Sequence, residues 1–291
     1  MTKVDAILTA DWHLREDVPV CRTDDYWVAQ EKKVDFIFDL AAEHGCPVWI
    51  AGDMFNRAKP PLKLVNFFVR KLGDSGVDIV IVPGQHDLPQ HNMSLINHSA
   101  LGTLHEARII NTTGHEIISM FAWGEELRPN EAKVALAHTL CYKGRPPWPG
   151  APASGNASAI MEKLQGYDLV VTGDNHKPFT YRHHDGRLLV NPGSIMRMTI
   201  AQEKHRPRVY LWNAEENEVE AVFLPIEKDV ITKEHIESKE QRDERMEAFI
   251  ERIDTEYTKG LSFEDNLEQY FATNNTRKGV EEMVWKAMET K

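Results

Sequence analysis

The hydrophobic positions fall into short runs, each followed by a polar cluster or by a stretch of helical spacing. Residues 4–9 (VDAILT), 48–51 (VWIA) and 77–82 (VDIVIV) are apolar runs of strand length. Between them, residues 27–44 place Val34, Ile37, Phe38 and Ala41 on one helical face; Gly45 ends this helix, with Pro47 just beyond. Residues 61–72 predict a second helix, opened by proline and closed by Gly73. Further strands are predicted near 107–111, 116–122, 133–137 and 168–172. The segment YRHHDGRLLV predicts a hairpin turning at Asp185-Gly186, and 207–212 with 218–224 a further strand pair. Residues 144–158, rich in Pro, Gly and Ser, read as a loop. A first half that alternates strand and helix and a second half rich in hairpins predict an α/β fold, a layered α-β-β-α sandwich with two mixed sheets.

The pattern changes towards the C-terminus, so we divide the chain into a domain at 1–228 and a helical region at 229–291. A long charged helix is expected over KEHIESKEQRDERMEAFIERIDTEY, with Met246, Phe249, Ile250, Ile253 and Tyr257 in a stripe. Ser262 and Asp265 have the spacing of a capping box for another helix. A last helix follows Thr276, with Val280, Met283, Val284 and Met288 on one side. Two uses of these helices stand open: docking on the parent domain, or seating a partner or capping a substrate cleft.

Composition narrows the class. At 291 residues with 42% hydrophobic and 27% charged residues the chain is an ordinary globular protein. No apolar run approaches the roughly 18–20 residues of a membrane span. Cys21, Cys46 and Cys141 are odd in number and widely spaced, which fits reduced thiols and a cytoplasmic setting. The net charge of −11 argues at first against a nucleic-acid partner. The acidity is concentrated, however: residues 211–291 carry 21 Asp/Glu against 11 Lys/Arg, so the preceding body is nearly neutral.

The candidate chemistry lies where the predicted strands end. The clusters are Asp11-Trp12-His13, Gly52-Asp53, Gly84-Gln85-His86-Asp87, His138, Gly173-Asp174-Asn175-His176 and, after the hairpin, Asn191-Pro192-Gly193-Ser194. Open α/β sheets gather their ligands at the carboxyl ends of strands. Taken singly, each cluster has an ordinary structural explanation. His138 in an apolar strand, for instance, reads as a hydrogen-bonded core histidine. Their shared order and position point to a site.

This order of motifs resembles the calcineurin-like metallophosphoesterases. Within that superfamily, GDMFNRAKPP resembles a segment of the SbcD-type (Mre-eleven-type) nuclease subunits of DNA double-strand-break repair. The resemblance covers residues 4 to about 200. It implies two divalent ions, one held by Asp11, His13, Asp53 and His176, the other by Asp53, Gln85, His138 and Asp174, with Asp53 bridging. It gives His86 the role of contacting the phosphate and steering or protonating the leaving group. Asp87 either orients His86 or stabilises the turn.

Three positions depart from the family pattern. Gln85 stands where the family has Asn, Asp174 where it has His, and Asn56 where many of its nucleases have a second His. A donor set richer in oxygen favours Mn²⁺, or Mg²⁺, over Zn²⁺. Candidate phosphate contacts are Asn56, Arg57, Lys59 and Lys177, with weaker claims for Arg15 and Arg197. Trp148 either stacks on a base or packs under its own loop. His91, His98 and the His183-His184 pair are expected at the surface. The resemblance further implies DNA as substrate, a partner ATPase of the SbcC type and a homodimer. The expected activity is a two-metal DNA exonuclease and endonuclease. Two alternatives stay open: a phosphodiesterase or phosphatase for a small nucleotide or protein, and a DNA-end-binding scaffold with weakened catalysis.

Overall fold

A computed structural model of the chain describes residues 3–114, 117–234, 245 and 263–289. Among the described residues ten strands form two five-stranded mixed sheets. The first sheet contains β1 (Ala6–Thr9), β2 (Val48–Ile50), β3 (Ile79–Ile81), β9 (Arg208–Asn213) and β10 (Glu218–Phe223), in the order β10-β9-β1-β2-β3. The strands β1, β2 and β3 are parallel, with Ile7 opposite Val48 and Val48 opposite Ile79; β9 and β10 run antiparallel beside them. The second sheet is ordered β4-β5-β6-β8-β7, from β4 (Ile118–Phe121), β5 (Val134–Ala137), β6 (Leu169–Thr172), β7 (Phe179–Arg182) and β8 (Leu188–Asn191). Only β7 in this sheet is antiparallel.

The layers follow from alternation along the strands. Ile7, Val48, Ile50, Ile79 and Ile81 pack with α1 (Tyr26–His44) and α2 (Leu62–Ser75) through Val34, Ile37, Phe38, Phe67 and Phe68. Their neighbours Leu8, Trp49 and Val80 face the other sheet and meet Leu136, Val171 and Val190. The outer face of the second sheet, with Ala135, Val170 and Leu189, is covered by Ile160 and Met161 of α4 (Ala157–Lys163). The predicted α-β-β-α sandwich is therefore observed. Parallel strands buried on both faces need continuous apolar runs, which is why 77–82 shows no polar alternation.

Three local differences have simple causes. The second helix passes through Gly73 and ends at Gly76, which takes the left-handed conformation at φ 65° and donates to Leu72 O. Residues 107–111 are not a strand. After α3 (Ala100–Glu106), Arg108 turns at φ 58° and only Asn111 reaches β3, through a single bridge to Val80. The predicted loop at 144–158 gives way to α4, capped by Asn156, whose side chain accepts from Ser158 N.

The chain forms two compact units, residues 1–232 and 233–291. Residues 230–232 stay with the first because Val230 O accepts from Thr23 N and Thr232 N donates to Cys21 O. In the second unit α5 (Phe263–Asn274) and α6 (Lys278–Glu289) bury Leu267, Phe271 and Val284 together, with Val280, Trp285 and Met288 packed against them. Met283 is exposed rather than part of this face. The expected charged helix lies outside the described residues over most of its length, as does Ser262. Among the described residues no helix is long and apolar enough to cross a membrane, and all three cysteines are free and buried.

Candidate metal centre

The polar clusters meet at the carboxyl ends of β1, β2, β3, β5 and β6. The backbone turns sharply there: Asp11, His13, Asp53 and Asp174 all have positive φ, between 45° and 74°. Adjacent turns are tied together. Asp11 N donates to Gly52 O at 3.0 Å, and His13 N to Asp53 O at 2.9 Å. Two glycines permit the approach. A Cβ on Gly52 would stand 2.1 Å from His138 Nδ1, and one on Gly84 2.2 Å from Asp53 Oδ1.

Asp53 occupies the middle. Its Oδ1 accepts from His86 N at 2.9 Å. Its Oδ2 has no hydrogen-bond partner and lies 3.6 Å from His13 Nε2 and 3.5 Å from His138 Nε2. His138 Nδ1 meets Ala51 O at 2.6 Å, which places the ring proton on Nδ1 and the lone pair of Nε2 towards Asp53. His13 Nε2 lies 3.1 Å from His176 Nε2. Donor atoms fall into three groupings that could each hold an ion: Asp11 with His13 and His176, Asp11 with Asp53 and His138, and His13 with Asp53 and His86.

The donor set fits a divalent cation. Asp11 Oδ2, Asp53 Oδ2, His138 Nε2 and Gln85 Oε1 are buried lone-pair donors, and none has a partner within the protein. Burying such atoms unpaired costs on the order of 1–3 kcal/mol each, more for a carboxylate, so a buried cluster of them calls for positive charge. Protonation is what the protein alone can supply. Burial pushes the Asp11 carboxyl up to about 8. Burial favours neutral His138, but the Asp53 and Asp11 carboxylates and the Ala51 carbonyl together outweigh it and raise the imidazole to about 10. Burial holds His13 down at about 3 and also lowers His176.

Gln85 and Asp174 are joined to each other. Gln85 Nε2 donates to Asp174 Oδ1 at 2.8 Å, which turns the unpartnered Oε1 away from that bond. Asp174 N donates to Asp11 Oδ1 at 3.0 Å. Among the described residues the Asp174 carboxylate enters none of the three-residue groupings. The structure thus draws Asp11, His13, Asp53, His86, His138 and His176 together, ties Asp174 to Asp11 and ties Gln85 to Asp174.

His86 stands at the edge of the cluster. Its ring lies 4.9 Å from that of His13, and its Nδ1 lies 3.2 Å from Asn56 O. Asn56 therefore orients His86 through its backbone carbonyl. Asp87 is buried and accepts from Met54 N, Phe55 N and Gly84 N, so it fastens the loop after β2 to the loop after β3. Arg57, Lys59 and Lys177 are exposed on loops that follow the cluster residues. Arg15 is paired with Asp17, and Arg197 is buried with its guanidinium on Glu203 O and Glu227 O, so neither is a free surface cation. Trp148 is half exposed rather than packed under its loop.

Several neighbours were not legible as site residues. His91, expected at the surface, is exposed but lies 6.4 Å ring to ring from His86, carried there by left-handed Gln90 and His91. The clue was Pro89 within a run of polar residues. Trp123 packs 6.2 Å from His138, and Gln202 Nε2 lies 3.4 Å from His176 Nδ1. Asn191 is buried; its amide donates to Asn175 O and Lys177 O and holds the loop that carries His176. His98 is exposed as expected. His183 is buried, against expectation, because its ring is clasped by Glu162 and Asp185.

This is a layered α/β protein with a buried, metal-competent cluster of carboxylates and imidazoles at its strand ends. The family model of the calcineurin-like phosphoesterase superfamily domain matches residues 8–216. The chain belongs to that superfamily, which makes it a hydrolase of phosphoesters. A search of curated proteins gives no match by sequence. Among solved structures, TT1561 of Thermus thermophilus is 13% identical with a TM-score of 0.47, covering 77% of this chain and 100% of that one. A dimetal phosphatase from Danio rerio is 10% identical with a TM-score of 0.48, at the same coverage of both chains.

Proposed function

We propose that the protein is a two-metal phosphodiesterase acting on DNA, of the SbcD type. The observation that carries the metal chemistry is the grouping of donor atoms of Asp11, Asp53 and His138 within 4.8 Å of one another, with Asp11 Oδ2, Asp53 Oδ2 and His138 Nε2 buried and without partners. Asp11, His13, Asp53 and His176 would hold one ion. Asp53, His138 and Gln85 would hold the second, with Asp174 adding charge and fixing the glutamine. Asp53 Oδ2 lies 3.6 Å from His13 Nε2 and 3.5 Å from His138 Nε2, which supports a role for Asp53 at both positions. Paired divalent ions lower the pKa of a bound water and offset charge developing on the phosphate. The ions are Mn²⁺, or Mg²⁺, because oxygen donors dominate the second position.

The protein's own groups do the rest. The Asn56 carbonyl holds His86 at the rim, where its ring meets the phosphate and donates to the leaving oxygen. Exposed Arg57, Lys59 and Lys177 receive the flanking backbone phosphates. DNA as substrate is supported by the GDMFNRAKPP segment, which leads from Asp53 to this cationic loop. On the same reading an SbcC-type ATPase is the partner and the chain pairs with a second copy.

The test is a substrate panel with Mn²⁺, Mg²⁺ or Zn²⁺: labelled duplex DNA, single-stranded DNA, bis-p-nitrophenyl phosphate and a monoester. Manganese-dependent DNA cleavage is expected. Ester turnover without DNA cleavage, with and without an SbcC-type ATPase present, overturns DNA as substrate and points to a small nucleotide. DNA retention without any hydrolysis points to a scaffold.

A further inference from the structure

A second cluster of donors lies at the opposite edge of the second sheet. The β7–β8 hairpin turns at the amino ends of β6 and β8, where Leu169 pairs with Leu188 and His183 N donates to Arg187 O. At the candidate centre, Asp174 follows the other end of β6 and Asn191 closes β8. At the turn, a donor atom from each of Glu162, His183 and His184 lies within 4.8 Å of the others. Glu162 comes from α4 and the two histidines from the hairpin.

The contacts of the His183 ring admit either neutral tautomer. Nε2 lies 3.1 Å from Glu162 Oε1, and Nδ1 lies 2.9 Å from Asp185 Oδ1. A carboxylate oxygen only accepts. With the proton on Nδ1 the bond to Asp185 is satisfied, but a nitrogen lone pair faces Glu162. With the proton on Nε2 the Glu162 bond is satisfied, but a lone pair faces Asp185. The second tautomer is completed by Arg187, whose Nη2 lies 3.2 Å from Nδ1; the first, with Nδ1–H on Asp185, leaves the Nε2 lone pair open to a cation shared with Glu162. Arg187 is fixed in place by Asp185 and by the carbonyls of Met161 and Leu164.

We propose that Glu162, His183 and His184 form a separate site for a divalent transition ion of the zinc class. Two donors about 2.1 Å from one ion stand roughly 3–3.5 Å apart, which is the Glu162–His183 separation. Two imidazoles and one carboxylate, with water completing a tetrahedron, suit zinc better than magnesium or calcium. Asp185 then has the role of a carboxylate behind a ligating histidine: it fixes Nδ1–H and directs the Nε2 lone pair at the ion. The neighbouring rings of His183 and His184, 4.0 Å apart and inclined by 33°, place the third donor on the exposed side, where an ion can enter. Bound there, the ion clips the edge hairpin to α4. The site does not depend on the reaction catalysed at the other end of the sheet.

The test counts ions. Chelator-stripped full-length protein is dialysed over a series of Zn²⁺ concentrations, and zinc per chain is measured for wild type, His184→Ala and Glu162→Gln. Both substitutions are at exposed positions, and thermal unfolding in chelator confirms that each variant is folded. The expected result is a loss of one zinc per chain in each variant, and a rise in melting temperature with zinc that is smaller in the variants than in wild type. Equal zinc counts in wild type and both variants overturn the site.

Discussion

Gln85 and Asp174 are hydrogen bonded at 2.8 Å, although they leave different sheets and stand far apart in sequence. The bond accounts for two departures from the family pattern at once. A longer amide reaches across, and a carboxylate in place of an imidazole receives its N–H. The amide oxygen is then held without a partner of its own.

The first prediction follows from this bond. Asp174→Ala releases Gln85 and removes a negative charge, so Mn²⁺ stoichiometry falls from two to one, or the weaker site loses affinity by roughly 10–100-fold. Gln85→Asn, one methylene shorter, loses the bond and gives a smaller change in the same direction. Isothermal titration with Mn²⁺ measures both. An unchanged second site in Asp174→Ala removes the residue from the metal chemistry.

His86 separates binding from turnover. Its backbone N–H holds Asp53, but its ring is held only at the rim by the Asn56 carbonyl. His86→Ala keeps the backbone contact, so both ions bind while cleavage falls by about 10²–10⁴. Near-wild-type turnover in that variant excludes the assigned role.

Asp87 is a structural carboxylate beside the site. Replacing it with alanine leaves the N–H groups of Met54, Phe55 and Gly84 without their acceptor in a buried place. The expected cost is several kcal/mol, about 1–3 for each orphaned donor less whatever water recovers. Urea unfolding of the metal-free protein measures it, and a loss below about 1 kcal/mol would show that the loops are fastened elsewhere.

Lys33 gives a pH dependence. It is a buried lysine on the inner face of α1, and its amine lies 3.4 Å from Met196 Sδ, a weak acceptor. Burial, reinforced by Arg22 and Arg197 and opposed by Asp24, pushes the ammonium down to about 7; His205 also feels its charge. The folded pKa is below the unfolded value of 10.5, so between these values the unfolded chain binds more protons. The Lys33 contribution to stability therefore rises from about pH 7 towards 10.5 and is lost as pH falls through 7. Lys33→Met is expected to stabilise the fold by roughly 1–4 kcal/mol at pH 7 and to gain little near pH 10. Melting curves across this range, compared with wild type, test it; a gain independent of pH excludes the charge as its cause.

The sandwich was legible because strands buried on both faces and amphipathic helices have distinct periods. Val77–Val82 and Val34–Ala41 could hardly be exchanged. The clusters were legible because each follows such a strand directly. What escaped depends on contacts between distant segments. His91 reaches His86 only through two left-handed residues, and His183 is buried by a glutamate on α4. Gly73 and Gly76 are equally plausible helix ends in one dimension. Packing of Leu72 and the turn at Gly76 decide between them. Arg197, read as a surface cation, is fixed by carbonyls from segments that follow it in the chain.

The positive φ values of Asp11, His13, Asp53 and Asp174 affect how such a centre can be altered. Asp, Asn and His are the side chains that tolerate this backbone best after glycine, and two of the three are also metal ligands. One choice of residue thus answers to two selections, the ion and the corner. An alanine scan of these positions would mix the two. Aspartate-to-asparagine exchanges keep the corner and change only the charge, so they are the substitutions from which the ligand chemistry can be read without a folding defect.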